Sequence, residues 1–408
     1  MGLRASLGTR CRSLALAVAA ILLAHAPHAF AVERHVAPTG NDGAPGSLAL
    51  PHRTLRHALD LAGPGDTIYL HAGTYPEGVS IHDGAIRGGT SWSNPLVIAS
   101  YPGDVVVLQP PAGAQRVVTF ADARASYIVV RGLVLDARNI RYEAVKITWS
   151  GPAGASNASH HIRIEDSEIV GARGHGVLFG SHHNELLRSR VHGHGRTDFD
   201  HGIYITHPDN LVEGCEVFEN AGWGVHVYNG ETNDADRNVV RNNRIHHNAR
   251  AGQRGAGIVL SSGDDNVAIN NVIFANKIGI HVDYGSLRAR VYNNTVFANA
   301  ADGIAVGGGA SDTDVRNNLV FNSAGNFKNQ GRRTTTGTNL FGGNPGVVDA
   351  SRFDAHLLAS SAAIDQGAAL DTVEFDYDRI PRPQGAAHDV GAYEYPRLAP
   401  PILQPISD

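Results

Sequence analysis

Residues Thr197 to Asn210, TDFDHGIYITHPDN, gather three Asp, two His and a Tyr around a Gly-Ile step, in a chain that is only 18% charged. Imidazole and phenol groups so close together can move protons in both directions. His201 and Tyr204 are therefore the leading proton-transfer pair, with His226 assisting and Lys146 as a further candidate base. Asp198 and Asp200 fit two roles: oxygen ligands for Ca²⁺, or carboxylates capping loop amides. Arg254 and Arg250 can pair with a substrate carboxylate through their guanidinium forks. Such a set suits abstraction of a proton beside a carboxylate, a reaction that needs the carboxylate neutralised and a base held on one side. Two carboxylates among Asp198, Asp200 and Asp283 would instead suit hydrolysis of a glycosidic bond.

Candidates spread over so much sequence need elements that bring them together, and internal repeats supply these. DNLVEGCEVFENAGWGVHVY, RNVVRNNRIHHNARAGQRGAGIVL, DNVAINNVIFANKIGIHVDY and RARVYNNTVFANAADGIAVG share one template, in which a small or amide residue precedes an apolar pair and a Gly opens a short strand. The small or amide position recurs at Ser167, Ser189, Cys215, Asn243, Asn271, Asn294 and Asn318, at intervals of 22 to 28 residues. Two or three short period-2 segments per interval, rich in β-branched residues, read as coils of a parallel β-helix. Stacked coils make ladders of like side chains. Asn243 to Asn318 is then an asparagine ladder, and Phe218, His246, Phe274, Phe297 and Phe321 an aromatic stack. His192 and His246 take structural places in that stack, and Cys215 is an inert ladder residue.

The strand after each Gly sets what points outward. In Gly202-Ile203-Tyr204-Ile205-Thr206 the Ile residues face inward, so Tyr204 and Thr206 face out. The same register yields an outward column Lys146, Leu178, Tyr204, His226, Val259, His281, Ala305. A second column runs Thr148, Gly180, Thr206, Tyr228, Ser261, Asp283, Gly307. Just before the Gly stand Ala144, His175, His201, Trp223, Ala256, Ile278 and Asp302. His175, Trp223, Tyr228, His281 and Asp283 thus join Arg250 and Arg254 as candidate binding residues on one face, spaced at roughly one sugar per coil. Insertions at 196–200 and 250–255 border the patch, and an acidic loop, 231–236, follows Tyr228.

The first residues carry Arg4, Arg10 and Arg12, an apolar run from Leu14 to Ala24, and Ala29-Phe30-Ala31. That is the pattern of a secretory signal peptide over 1–31, and it predicts export to the periplasm or beyond, with no membrane anchor in the mature form. Its loss removes three Arg and no acid, taking the formal charge from −5 to −8. Nothing basic is left to favour nucleic acid. Cys215 then stands alone, so no intramolecular disulfide is possible.

The PGDTIYLHAGTY opening and the AIDQGA and DVGAYEY close, together with the coils, resemble right-handed parallel β-helix proteins of the pectate-lyase-like superfamily. The resemblance implies an all-β, single-stranded right-handed solenoid. Residues 32–100 would form an N-terminal cap with a short helix and the first coils, 101–325 the repeats, and 326–408 an irregular cover. It also implies a monomer acting on an acidic polysaccharide, by β-elimination, by C5-epimerisation or by hydrolysis, or else a non-catalytic carbohydrate-binding protein on the same scaffold. Alginate epimerases of similar fold carry Asp-Pro-His, whereas here Asp200-His201 is contiguous and Gly202 follows.

Overall fold

The computed structural model describes residues 31–81, 86–149, 154–252 and 254–396; the expected leader lies, but for Ala31, outside them. Three parallel sheets of twelve, ten and eleven strands share the chain in rotation, so that strands adjacent in a sheet belong to successive coils. This is the right-handed parallel β-helix that the repeats predict. Inward positions are filled by Ile203 and Ile205, Val225 and Val227, Ile258 and Leu260, Ile280 and Val282, all without solvent exposure. Each such burial stabilises by about 1.5–3 kcal/mol. A one-residue slip would lose all of it, so the same register that buries these side chains holds Tyr204 and His226 outward.

Two features of the template explain themselves in the turns. Asn242, Asn270, Asn293 and Asn317 adopt left-handed backbone at the corner, which Asn tolerates better than most side chains. The Asn that follows each forms the ladder: Asn243 N–H and Nδ2 donate to Asn271 Oδ1 at 3.1 and 3.0 Å, and Asn271 does the same to Asn294. Two further amide ladders, Asn184-Asn210-Asn238-Asn266 and Asn220-Asn248-Asn276-Asn299, brace the other corners. The Gly that opens each strand allows close approach between coils, since a Cβ on Gly202, Gly224 or Gly279 would lie 2.7, 2.6 or 2.3 Å from the next coil's carbonyl oxygen.

The N-terminal end is closed, as an edge requires. Helix Leu55–Leu61, capped by Thr54 accepting from His57 N–H, buries Leu55, Ala58 and Leu59 against the first rungs. At the other end the coil pattern continues past residue 325, through Gly325–Asn329, Thr335–Gly337 and Leu340–Gly342. The irregular cover starts after these and packs along the coils. Phe353 stacks on Phe274 at 4.3 Å, and the buried Arg382 guanidinium pairs with Glu394 at 2.6 Å. The aromatic stack forms as predicted, from His192–Phe218 at 4.5 Å to Phe297–Phe321 at 5.0 Å. Cys215 is buried, its thiol pushed up to about 12 by desolvation. Among the described residues no helix is long and apolar enough to cross a membrane.

Candidate functional site

The outer face of the ten-stranded sheet carries the site. Register pairs run Lys146–Leu178–Tyr204–His226–Val259–His281–Ala305, matching the expected column residue for residue. A cleft of about 740 Å³ lies over the middle of this column. Tyr204, His226, Val259 and His281 form its floor; His175, Phe199, His201, Trp223, Arg254, Lys277 and Ile278 reach it from the side where the strands begin; Tyr228, Ser261 and Tyr284 close the other side. Aromatic contacts fix the floor, with His226 stacked between Tyr204 at 5.2 Å and Tyr228 at 5.4 Å. Trp223 lies 4.5 Å from His201 and 4.4 Å from His226 between ring centroids.

A hydrogen-bond chain links three imidazoles across successive coils. His201 N–H donates to His175 Nδ1 at 2.9 Å, and Trp223 N–H donates to His201 Nδ1 at 3.4 Å. A backbone N–H can only donate, so both Nδ1 atoms are acceptors and both rings carry their hydrogen on Nε2. His201 Nε2–H then donates to His226 Nδ1 at 3.1 Å, which leaves His226 with its own hydrogen on Nε2. All three stay neutral. Burial holds His201 well below the ordinary value, reinforced by His226 and His175; it lowers His226 to about 3 and lowers His175 as well. Tyr204 moves the opposite way, raised first by burial and then by Tyr228 and Glu231, and its hydroxyl has no hydrogen-bond partner among the described residues.

The placement alters several expectations. His201 meets Tyr204, at 5.4 Å, but it is 3% exposed and both its ring nitrogens are engaged, so it positions His226 rather than meeting a ligand itself. Lys146 lies two rungs from Tyr204, outside the cleft lining. Arg254 lines the cleft and sits 5.8 Å over the Phe199 ring, so the two inserted loops meet; Arg250 is exposed and does not line it. His281 closes the far end with Asp283 Oδ2 at 3.5 Å from its Nε2, while Asp283 Oδ1 accepts from Gly309 N–H. Asp200 Oδ2 accepts from Arg196 N–H, Thr197 N–H and the Thr197 hydroxyl, the work of a loop cap. Among the described residues no three His, Cys, Asp or Glu side chains converge as a metal-ion site needs. Asp200 Oδ2 is committed to its own loop.

Lys277 was legible only by extending the pre-strand column one residue further back, where it follows Gly255 by one coil. Phe199 and Tyr284 sit in loop and strand-end positions that no periodicity marks. A smaller cavity of about 520 Å³ lies under the C-terminal cover, but Arg241 and Arg379 there are both paired with Glu213.

The family described as right-handed beta helix region matches residues 114–253 and 231–320. An uncharacterized Bacillus subtilis protein, YwoF, is 26% identical over 341 residues, covering 70% of this chain and 68% of that one. Pectate lyase PEL9 of Emericella nidulans is 35% identical over 100 residues, which span 24% of this chain and 23% of the fungal protein. The crystal structure of pectate lyase Pel9A superposes with a TM-score of 0.68 at 17% identity, covering 90% of this chain and 97% of the other, a likeness of fold.

Proposed function

The chain belongs to the right-handed β-helix region family, and on that premise we propose that it is a secreted enzyme cleaving an acidic, uronate-containing polysaccharide by β-elimination. The observation that carries this reading is the charge of the cleft: Arg254 and Lys277 line it, and no Asp or Glu does among the described residues. A neutral sugar would draw nothing from that net positive charge, whereas a uronate carboxylate complements it. The same observation disfavours glycoside hydrolysis, which needs two carboxylates flanking the bond. The pectate lyases of like fold and partial sequence similarity agree in substrate class.

In this reading Arg254 and Lys277 hold the carboxylate and so acidify the adjacent C–H. His226 Nε2 takes that proton as the electron pair moves into the new C=C bond. The C–O bond to the neighbouring sugar breaks, and Tyr204, kept protonated by its raised pKa, gives its proton to the leaving oxygen. Proton return from His226 to Tyr204 resets the site. For His226 to accept at Nε2, the His201–His226 pair must invert its tautomers. The hydrogen bond sacrificed is the long one from Trp223 N–H, a cost of about 1 kcal/mol.

The test is incubation with a panel of uronate and neutral polysaccharides. Unsaturated ends absorbing in the ultraviolet support the reading. New reducing ends without that absorbance indicate a hydrolase, changed C5 configuration at constant length an epimerase, and no change a binding protein; each of these overturns it.

A further inference from the structure

All three lysines of the chain lie on the ten-stranded sheet: Lys146 in Val145–Ile147, Lys277 immediately before Ile278–Asp283, and Lys328 in Gly325–Asn329. Lys277 is accounted for by the cleft. Lys146 shares the floor column of Tyr204 and His226 but stands two rungs beyond Tyr204, about 10 Å at the spacing of parallel strands, and so cannot serve the same sugar ring. It is half-buried and has no hydrogen bond or ion pair among the described residues, because the nearby Glu143 carboxylate is taken by Arg116 at 2.7 Å. The ammonium therefore only shares the Glu143 carboxylate with Arg116, without touching it, and a half-buried cation so placed gains from a ligand that brings a carboxylate of its own. Aromatic residues precede and follow its strand on the same coil: Tyr142 at 50% exposure, its ring under the Arg116 guanidinium at 5.3 Å, and Trp149 at 37%, its ring edge-on to His207 at 5.5 Å. Exposed rings on the coil of a cation offer what a sugar carrying a carboxylate needs, apolar faces for its C–H groups and a charge for its acid group.

We propose that Lys146, Tyr142 and Trp149 form a second, distal subsite that holds another uronate of the same polysaccharide chain. The proposal rests on the β-elimination reading and gives it a direction. Arg254 and Lys277 hold the carboxylate next to the abstracted proton and lie on the C-terminal side of Tyr204 and His226. The leaving sugar therefore extends toward Lys146, which binds the non-reducing part of the substrate. Four rungs separate Lys146 from Val259, just after Arg254, about 19 Å, so the enzyme reads two carboxylates roughly four sugars apart. Beyond His281 the face carries Asp283 and Asp302 before the exposed Lys328, two rungs past His281, so an extended anion meets two carboxylates toward that end and none in the floor column toward Lys146.

The experiment measures affinity by calorimetry, on the full chain carrying His226→Ala, for size-graded oligogalacturonates and oligoalginates from trimer to octamer. The expected result is a gain in affinity with length that shrinks about tenfold in Lys146→Gln, as loss of one charge-assisted contact implies, recovers in Lys146→Arg, and shrinks independently in Trp149→Ala. An undiminished gain in both Lys146→Gln and Trp149→Ala overturns the distal subsite while oligouronate binding stands. Equal losses for trimer and octamer overturn it by placing Lys146 at the reaction centre. Failure of every oligouronate to bind removes the elimination reading beneath it.

Discussion

His201 Nε2 lies 3.1 Å from His226 Nδ1, so residues on two adjacent coils act as one imidazole pair whose tautomers are set by the Trp223 backbone N–H. The buried ring orients the floor ring. Removing it in His201→Ala frees His226 to rotate and to change tautomer without touching the cationic side of the cleft. The expected result is a fall in kcat of about 10²-fold or more with KM nearly unchanged, the signature of lost transition-state geometry. Imidazole ¹⁵N shifts of His226 should lose the Nε2–H form in the same variant; a purely structural role for His201 would leave that signature in place.

Tyr204→Phe removes one oxygen and keeps the ring stacked on His226 at 5.2 Å. As proton donor to the leaving oxygen, Tyr204 contributes about 10²–10⁴-fold. The variant should therefore lose kcat on that scale for ordinary substrates while regaining much of it for a substrate with an activated leaving group that needs no proton. Equal loss on both would remove Tyr204 from the acid role.

How much of this was written in the sequence depends on what each position owes to periodicity. The outward column from Lys146 to Ala305 followed from counting residues after each Gly, because burial of Ile203, Ile205, Val225 and Val227 leaves one register. The amide corner was legible at Asn243 for the same reason. His201 was found but its role was not: whether a ring one residue before the Gly meets a ligand or supports a neighbour depends on side-chain angles that spacing does not encode. Phe199 and Arg254 meet across two insertions with no repeat to align them. Asp200 shows the same limit, its carboxylate closing its own loop rather than reaching outward.

Arg254 and Lys277 should discriminate by charge. Lys277→Gln and Arg254→Gln are each expected to raise KM about tenfold on free uronate polymer, from loss of a charge-assisted contact, with little change on the fully methyl-esterified polymer. Raising the salt concentration should weaken wild-type binding and leave the double variant almost insensitive. Equal losses on esterified and free polymer would show that these side chains shape the cleft rather than bind carboxylate.

The asparagine ladder should be costly to interrupt. Asn271 Oδ1 accepts both from the backbone and from the side chain of Asn243, and its Nδ2 donates to Val240 O at 2.8 Å. Asn271→Ala strands a buried backbone N–H and a carbonyl, each worth about 1–3 kcal/mol. A drop in the urea midpoint corresponding to about 2–5 kcal/mol is expected, whereas Asn322→Ala, at an exposed corner with left-handed backbone, should cost only the strain of that backbone, about 1 kcal/mol.

Acid should destabilise the fold well before carboxylates titrate, and His194 provides the test. It occupies the ladder place held by Asn220 and Asn248 in later coils, its Nδ1 accepting from Ala172 N–H and its Nε2–H donating to Ile169 O, both at 2.9 Å. Burial lowers it to about 3, as it lowers His226. Below pH 6.5 the unfolded chain binds protons at these positions that the folded chain refuses, so their contribution is complete above pH 6.5 and lost as pH falls toward 3. Each contributes a slope of about 1.4 kcal/mol per pH unit in that window. His356 works in the opposite sense, raised by Asp354 and Asp378 against its own desolvation, and its contribution is lost as pH rises. The urea midpoint should therefore fall steadily from pH 6.5 to about 4.5. His194→Asn, which restores the ladder amide, should stay folded and lower that slope by the equivalent of one proton. A midpoint independent of pH across this range, or a slope unchanged in His194→Asn, would mean that these imidazoles are not held neutral by the fold.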